Sequence, residues 1–69
     1  MEQAMNIIVN GREMSFTGNN LAELIDRLGL DRAKVVAEKN GIVVHREDAA
    51  STPLAEGDVV ELVRLVGGG

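Results

Sequence analysis

The sequence predicts an α+β domain, a mixed sheet of about five strands with one main helix packed across it. Three observations predict it. Apolar and polar residues alternate on either side of Asn10-Gly11, the signature of a two-residue hairpin. Leu21, Leu24, Ile25 and Leu28 then fall at helical spacing. A last apolar stretch, residues 58–66, reads as one long strand. A single short amphipathic helix cannot bury its own stripe, so it must lie on the sheet those strands form.

Composition narrows the function classes first. The 69 residues make one domain, near the size at which only about 60% of the unfolded surface is buried. The chain has no cysteine and a single histidine, His45. That leaves no disulfide, no thiol nucleophile and a poor donor set for a structural metal. The net charge of -4 has the wrong sign for a nucleic-acid or anionic-membrane surface. No apolar run is long enough to span a bilayer, and the opening residues lack the basic-then-apolar order of a signal peptide. The expectation is a cytoplasmic protein, monomeric when free, with no metal, no bound cofactor and no catalytic residues of its own.

Residues 1–4 are polar and read as an N-terminal extension, native or added, outside the folded domain of residues 5–65. In residues 5–9, Met5, Ile7 and Val9 share one face and Asn6, Ile8 and Asn10 the other. Asn10-Gly11 tolerates the positive φ of a type I′ turn, and residues 12–17 return with Met14 and Phe16 inward. Asn20 is an N-cap candidate, with Glu23 three residues on as in a capping box. Gly29 supplies a left-handed stop after about nine helical residues, and Leu30 a closing apolar contact. Residues 35–39 form a short strand with Val35 and Ala37 inward, while Lys39 has inward parity at the strand end and room to snorkel. Asn40-Gly41 is a second I′ signal before the strand Ile42-Val43-Val44. Residues 45–50 read as a helical turn or loop, with His45 a surface residue. Leu54 is a core plug and Glu56-Gly57-Asp58 a tight turn. In the last strand Val60 and Leu62 belong under the helix, which turns Val59, Glu61, Val63 and Leu65 outward. Outward apolar residues suggest a docking patch of Val59, Val63 and Leu65 joined by Ile8 and Val36, against the alternative of plain β-propensity in a central strand.

The tail gives the chain its chemistry. Residues 66–69, Val66-Gly67-Gly68-Gly69, end in three glycines. Without Cβ atoms such a segment is thin and mobile, able to thread a narrow slot in a partner, or else a frayed end or an appended tag. A glycine acyl carbon is also the least hindered one for activation and nucleophilic attack.

The order of elements is that of a ubiquitin-like β-grasp. Ile7-Ile8-Val9-Asn10-Gly11, the helix Asn20-Leu21-Ala22-Glu23-Leu24-Ile25, Asn40-Gly41 before Ile42-Val43-Val44-His45-Arg46, Gly57-Asp58-Val59-Val60-Glu61 and the Val66-Gly67-Gly68-Gly69 end together resemble the thiamin-biosynthesis sulfur carrier family, ThiS, over residues 5–69. Two positions depart from the family pattern: His45, where proline is frequent, and Lys39, where an apolar residue is common. The resemblance implies that a ThiF-like activating enzyme uses ATP to adenylate the Gly69 carboxylate. A sulfur donor protein then converts it to a thiocarboxylate, which a ThiG-like thiazole synthase consumes. Val66, Gly67 and Gly68 would occupy the partner's slot. The chain itself would be a covalent carrier, not an enzyme.

Three other readings share the fold. The molybdopterin sulfur carriers, MoaD, commonly carry proline before an Ala-Gly-Gly end. The present tail has no proline and three glycines, which favours the thiamin branch. A ubiquitin-like protein modifier would join its tail to lysines, and a β-grasp binding module would make no chemical use of it.

Overall fold

The computed structural model describes residues 3–65. Its elements are β1 (Ala4–Val9), β2 (Arg12–Thr17), α1 (Leu21–Arg27), a 3-10 turn Arg32–Lys34, β3 (Val35–Lys39), β4 (Ile42–Val44), a second 3-10 segment Arg46–Ser51, and β5 (Val59–Arg64). The five strands form one mixed sheet in the order β2-β1-β5-β3-β4. β5, last in sequence, is therefore central in space. It runs parallel to β1, with Ile8 beside Val59 and Val9 beside Val60, and antiparallel to β3.

Both hairpins close as their turn residues dictate. Asn10 and Gly11 have φ of 49° and 80°, Asn40 and Gly41 of 52° and 85°, the left-handed pair that a type I′ turn requires. Ile7, Val9 and Phe16 are buried beneath α1, and Met5 and Met14 pack at the margin of the same core. The first strand starts one residue earlier than the alternation suggests: Ala4, assigned from sequence to the N-terminal extension, pairs with Thr17.

The helix is capped at both ends, and both caps refine the expectation. The Asn20 side chain accepts from the Glu23 N–H at 2.9 Å. The Glu23 carboxylate, however, accepts from the Asn19 N–H at 3.1 Å and not from the N-cap residue's own N–H, so the capping box is shifted by one position. At the other end, Gly29 donates to Asp26 and Leu30 to Ile25, the paired bonds of a Schellman closure. This closure limits α1 to seven residues, fewer than the nine expected. It also leaves Leu28, the C-cap, 39% exposed, while Leu30 packs against the core in its place. The apolar stripe of the helix thus ends at Ile25.

The remaining connections seal the core. Residues 45–50 contribute a 3-10 segment whose Ala49 is buried, and Leu54 is buried as a plug. Thr52 and Asn19 carbonyls accept from the Leu21 and Leu54 N–H groups, tying this segment to the start of α1. Gly18 lies against Phe16 and Glu23 so closely that a Cβ there would meet the Phe16 ring, and Glu23 Oε2 at 2.7 Å. Lys39 behaves as its parity suggests. Its stem is partly buried and its ammonium donates to the Pro53 carbonyl at 2.8 Å.

Candidate functional site

The strand that leads into the C-terminal glycines is held from both sides. β5 takes backbone hydrogen bonds from β1 on one side and β3 on the other, and both hairpin asparagines add to them. Past Val60, β1 has already turned away, yet the Asn10 side chain takes its place. Its Oδ1 accepts from the Leu62 N–H at 2.7 Å, and its Nδ2 donates to the Leu62 carbonyl at 3.2 Å. A side-chain amide here imitates one more residue of β1. Asn40 does the same on the β3 side. Its Oδ1 accepts from the Val59 N–H at 2.9 Å, and its own N–H donates to the Val59 carbonyl at 2.7 Å. Sequence reasoning assigned these asparagines to turns alone. The two-residue loops do place each Asn beside β5, but only knowledge that β5 is central reveals what their side chains meet.

Asp58 secures the entry to the strand. Its carboxylate accepts from the Ala55 N–H at 2.8 Å and the Asn40 amide at 3.1 Å, with the Lys39 ammonium 3.8 Å away. Burial alone would raise this carboxyl, but the Asn40 amide, the Ala55 N–H and the Lys39 ammonium outweigh it and hold its pKa below the usual value. β5 accordingly starts at Val59, one residue later than the sequence suggests, because Asp58 belongs to the turn.

The expected docking residues do share the sheet face away from α1. Val60 and Leu62 are buried beneath the helix, whereas Val59, Val63 and Leu65 are 39%, 56% and 54% exposed. Val36 stands directly opposite Val63 and Ile8 directly beside Val59. Ile8 is only half-buried. The patch is nevertheless divided. Glu38 and Glu61 face each other across β3 and β5 between its two halves, setting like charges side by side in the middle of the face. Val43, opposite Glu38 and also exposed, extends one half toward β4. The two-residue turn at Asn40-Gly41 fixes that register, so Val43 could have been added from sequence by counting across the turn.

Leu65 is the last described residue, and its N–H donates to the Lys34 carbonyl at 2.8 Å. The tail residues singled out from sequence, Val66, Gly67, Gly68 and Gly69, lie outside the described residues. Among the described residues no cluster of three or more metal-ligating side chains gathers, and no helix is long and apolar enough to cross a membrane.

One helix laid over a mixed sheet, with the final strand at its centre and leading into a run of glycines, defines a ubiquitin-like β-grasp protein. The ThiS family model matches residues 7–69, nearly all of the sequence, and the chain belongs to that family. The crystal structure of a thiamine biosynthesis protein (ThiS) from Geobacter metallireducens superimposes with a TM-score of 0.78 at 38% identity, over 94% of this chain and 100% of that one. The solution NMR structure of a thiamine biosynthesis protein from the same organism gives 0.76 at 38% identity, over 94% and 88%. A thiazole synthase of Paramagnetospirillum magneticum is 35% identical over 66 residues, which are 94% of this chain but 20% of that protein. This chain therefore spans about a fifth of the length of that relative.

Proposed function

We propose that this chain is the sulfur carrier for thiazole formation in thiamin biosynthesis, with the α-carboxylate of Gly69 as its reacting group. The observation that carries the reading is continuity: the family match extends through Gly69, and the strand leading there lies at the centre of the sheet. A carboxylate is a poor electrophile. An adenylating, ThiF-like partner would let a Gly69 oxygen attack the α-phosphorus of ATP, expelling pyrophosphate and leaving an acyl-adenylate. Sulfide-level sulfur from a donor protein would then attack the acyl carbon and expel AMP. The product is a thiocarboxylate, a good nucleophile at neutral pH, for transfer to a ThiG-like thiazole synthase. ATP is the partner's substrate, and this cytoplasmic carrier binds no cofactor itself. The chain supplies no acid, base or metal and acts as a substrate of its partners.

Val66, Gly67 and Gly68 would serve as the thin segment that enters the partner's slot, since nothing beyond backbone has to be accommodated at the three glycines. Ile8, Val36, Val59, Val63 and Leu65 would form the surface on which partners seat. Seating the body confines the tip to a small volume and raises its effective concentration at the reacting centre. The relative that is a thiazole synthase aligns with this chain over only part of its length, which supports physical association of the two functions.

The test is intact mass after incubation with an activating enzyme, ATP and a sulfur donor. The expected product gains the mass of one sulfur in place of one oxygen, and loses that gain when Gly68 and Gly69 are removed. An unchanged mass with a competent activating enzyme would refute the carrier role. Reconstitution of thiazole synthesis and of molybdopterin synthesis side by side separates the two branches. Activity in the second alone would transfer the assignment to that pathway.

A further inference from the structure

β5 is braced unequally along its length. The antiparallel register with β3, which pairs Arg64 with Val35 and sends the Leu65 N–H to Lys34, turns the Arg64 N–H and carbonyl toward the β1 side. There β1 has ended at Val9, and the Asn10 side chain reaches only as far as Leu62. No described residue bonds the backbone of Arg64 on that side. Among the described residues, the Arg64 backbone is therefore an unpaired edge position within a strand that is otherwise central.

Immediately beside this edge, on the helix side of the sheet, lies an open groove of about 540 Å³. Val9, Met14 and Leu62 line it on one side, and Leu28, displaced from the helical stripe by the Schellman closure, and Leu30 line it on the other. Arg12 and Arg64 also line it, together with Glu13, and among the described residues neither arginine is ion-paired. In a chain of net charge -4, two guanidiniums against the single Glu13 carboxylate leave this rim locally cationic.

We infer that this corner binds an extended segment of a partner protein, which continues the line of β1 and pairs with the Arg64 backbone. The segment places one leucine-sized side chain in the groove and carboxylates at the flanking same-face positions, toward Arg12 and Arg64. An extended strand has the right geometry because alternate side chains face the same way. The apolar residue is required by Met14, Leu28, Leu30 and Leu62, and the acidic ones by the two arginines. This surface is on the opposite side of the sheet from Val59 and Val63, so it can be occupied while the outer face is engaged. It does not depend on the sulfur-carrier reading.

The test is an NMR titration of the full chain with the blocked peptide acetyl-Thr-Asp-Thr-Leu-Thr-Asp-Thr-amide. Shifts are expected at the amides of Leu62 and Arg64 and the methyls of Met14, Leu28 and Leu30, together with slowed hydrogen exchange of the Arg64 N–H. Replacing both aspartates of the peptide by lysine should weaken binding about tenfold, and replacing its leucine by asparagine should abolish it. The variant Leu28→Glu, at a half-exposed position that leaves the fold intact, should lose binding while keeping the wild-type spectrum elsewhere. Absence of shifts, or shifts confined to the outer face, would overturn the proposal. So would concentration-dependent shifts at Arg64 without peptide, which would mean that a second copy of the chain occupies the corner.

Discussion

The two faces of the sheet are built from alternate residues of the same strands, yet they obey different rules. On the face toward α1, Ile7, Phe16 and Val60 are fully enclosed and no polar side chain is buried among the described residues. On the other face the same strands present Val36, Val59 and Val63 to solvent, interrupted by the opposed carboxylates of Glu38 and Glu61. Adjacent residues such as Val59 and Val60 thus differ in surroundings although they are identical in chemistry. One face is organised by packing, where each methyl group has neighbours. The other is free of that requirement, so its apolar residues are available for contact with another molecule.

Substitutions on each face should separate these roles. The largest effect is expected from Phe16→Ala, which removes the only phenyl ring in the chain from a fully buried position and should cost about 3–5 kcal/mol in urea unfolding. Val63→Asp, on the open face, should change stability by less than about 1 kcal/mol. It should weaken binding of the proposed activating partner by about 1–3 kcal/mol, measured by calorimetry, because a carboxylate would be desolvated without a partner. Wild-type affinity in a folded Val63→Asp protein would reduce the open-face valines to β-propensity.

Two smaller effects concern the strand that both faces share. Asn10→Gly keeps the positive φ of the turn but deletes the amide that holds Leu62. It should cost about 1–2 kcal/mol for the two lost hydrogen bonds, with hydrogen exchange rising first at Leu62. The smallest change is the pH response of Asp58. Its folded pKa lies below the unfolded one, so its contribution is complete above the unfolded carboxylate range and is lost as pH falls through the folded value. Asp58→Asn should therefore flatten the acid limb of the stability profile while leaving the alkaline limb unchanged.

Much of this was legible in the sequence because it is local. Asn-Gly turns, the Asn20 cap, the Gly29 stop and the inward parity of Val60 and Leu62 all follow from residues within a few positions of one another. What escaped notice depends on pairings between distant segments. The Asn10 and Asn40 amides act on a strand far along the chain, the Glu38–Glu61 opposition requires the β3–β5 register, and Ala4 joins β1 only because Thr17 lies opposite. Leu28 misled for a different reason. Its spacing fits the helical stripe, but the chain reverses at Gly29 before that position reaches the core, and Leu30 enters instead. The candidate docking residues were found by parity alone, whereas the division of their surface into two halves and the inclusion of Val43 needed the register of neighbouring strands.

The central position of β5 also bears on the order in which the molecule can be made. β1 with β2 and β3 with β4 are hairpins that can close as soon as each has been synthesised, but they do not touch as sheet neighbours without β5 between them. The ribosome delivers that strand after all the others. Until then the two hairpins have no common sheet, and the pairings that join them span some fifty residues of chain, as in the contact between Asn10 and Leu62, a separation that slows folding. A nascent chain stalled before residue 59 lacks both the keystone of the sheet and the glycines that follow it.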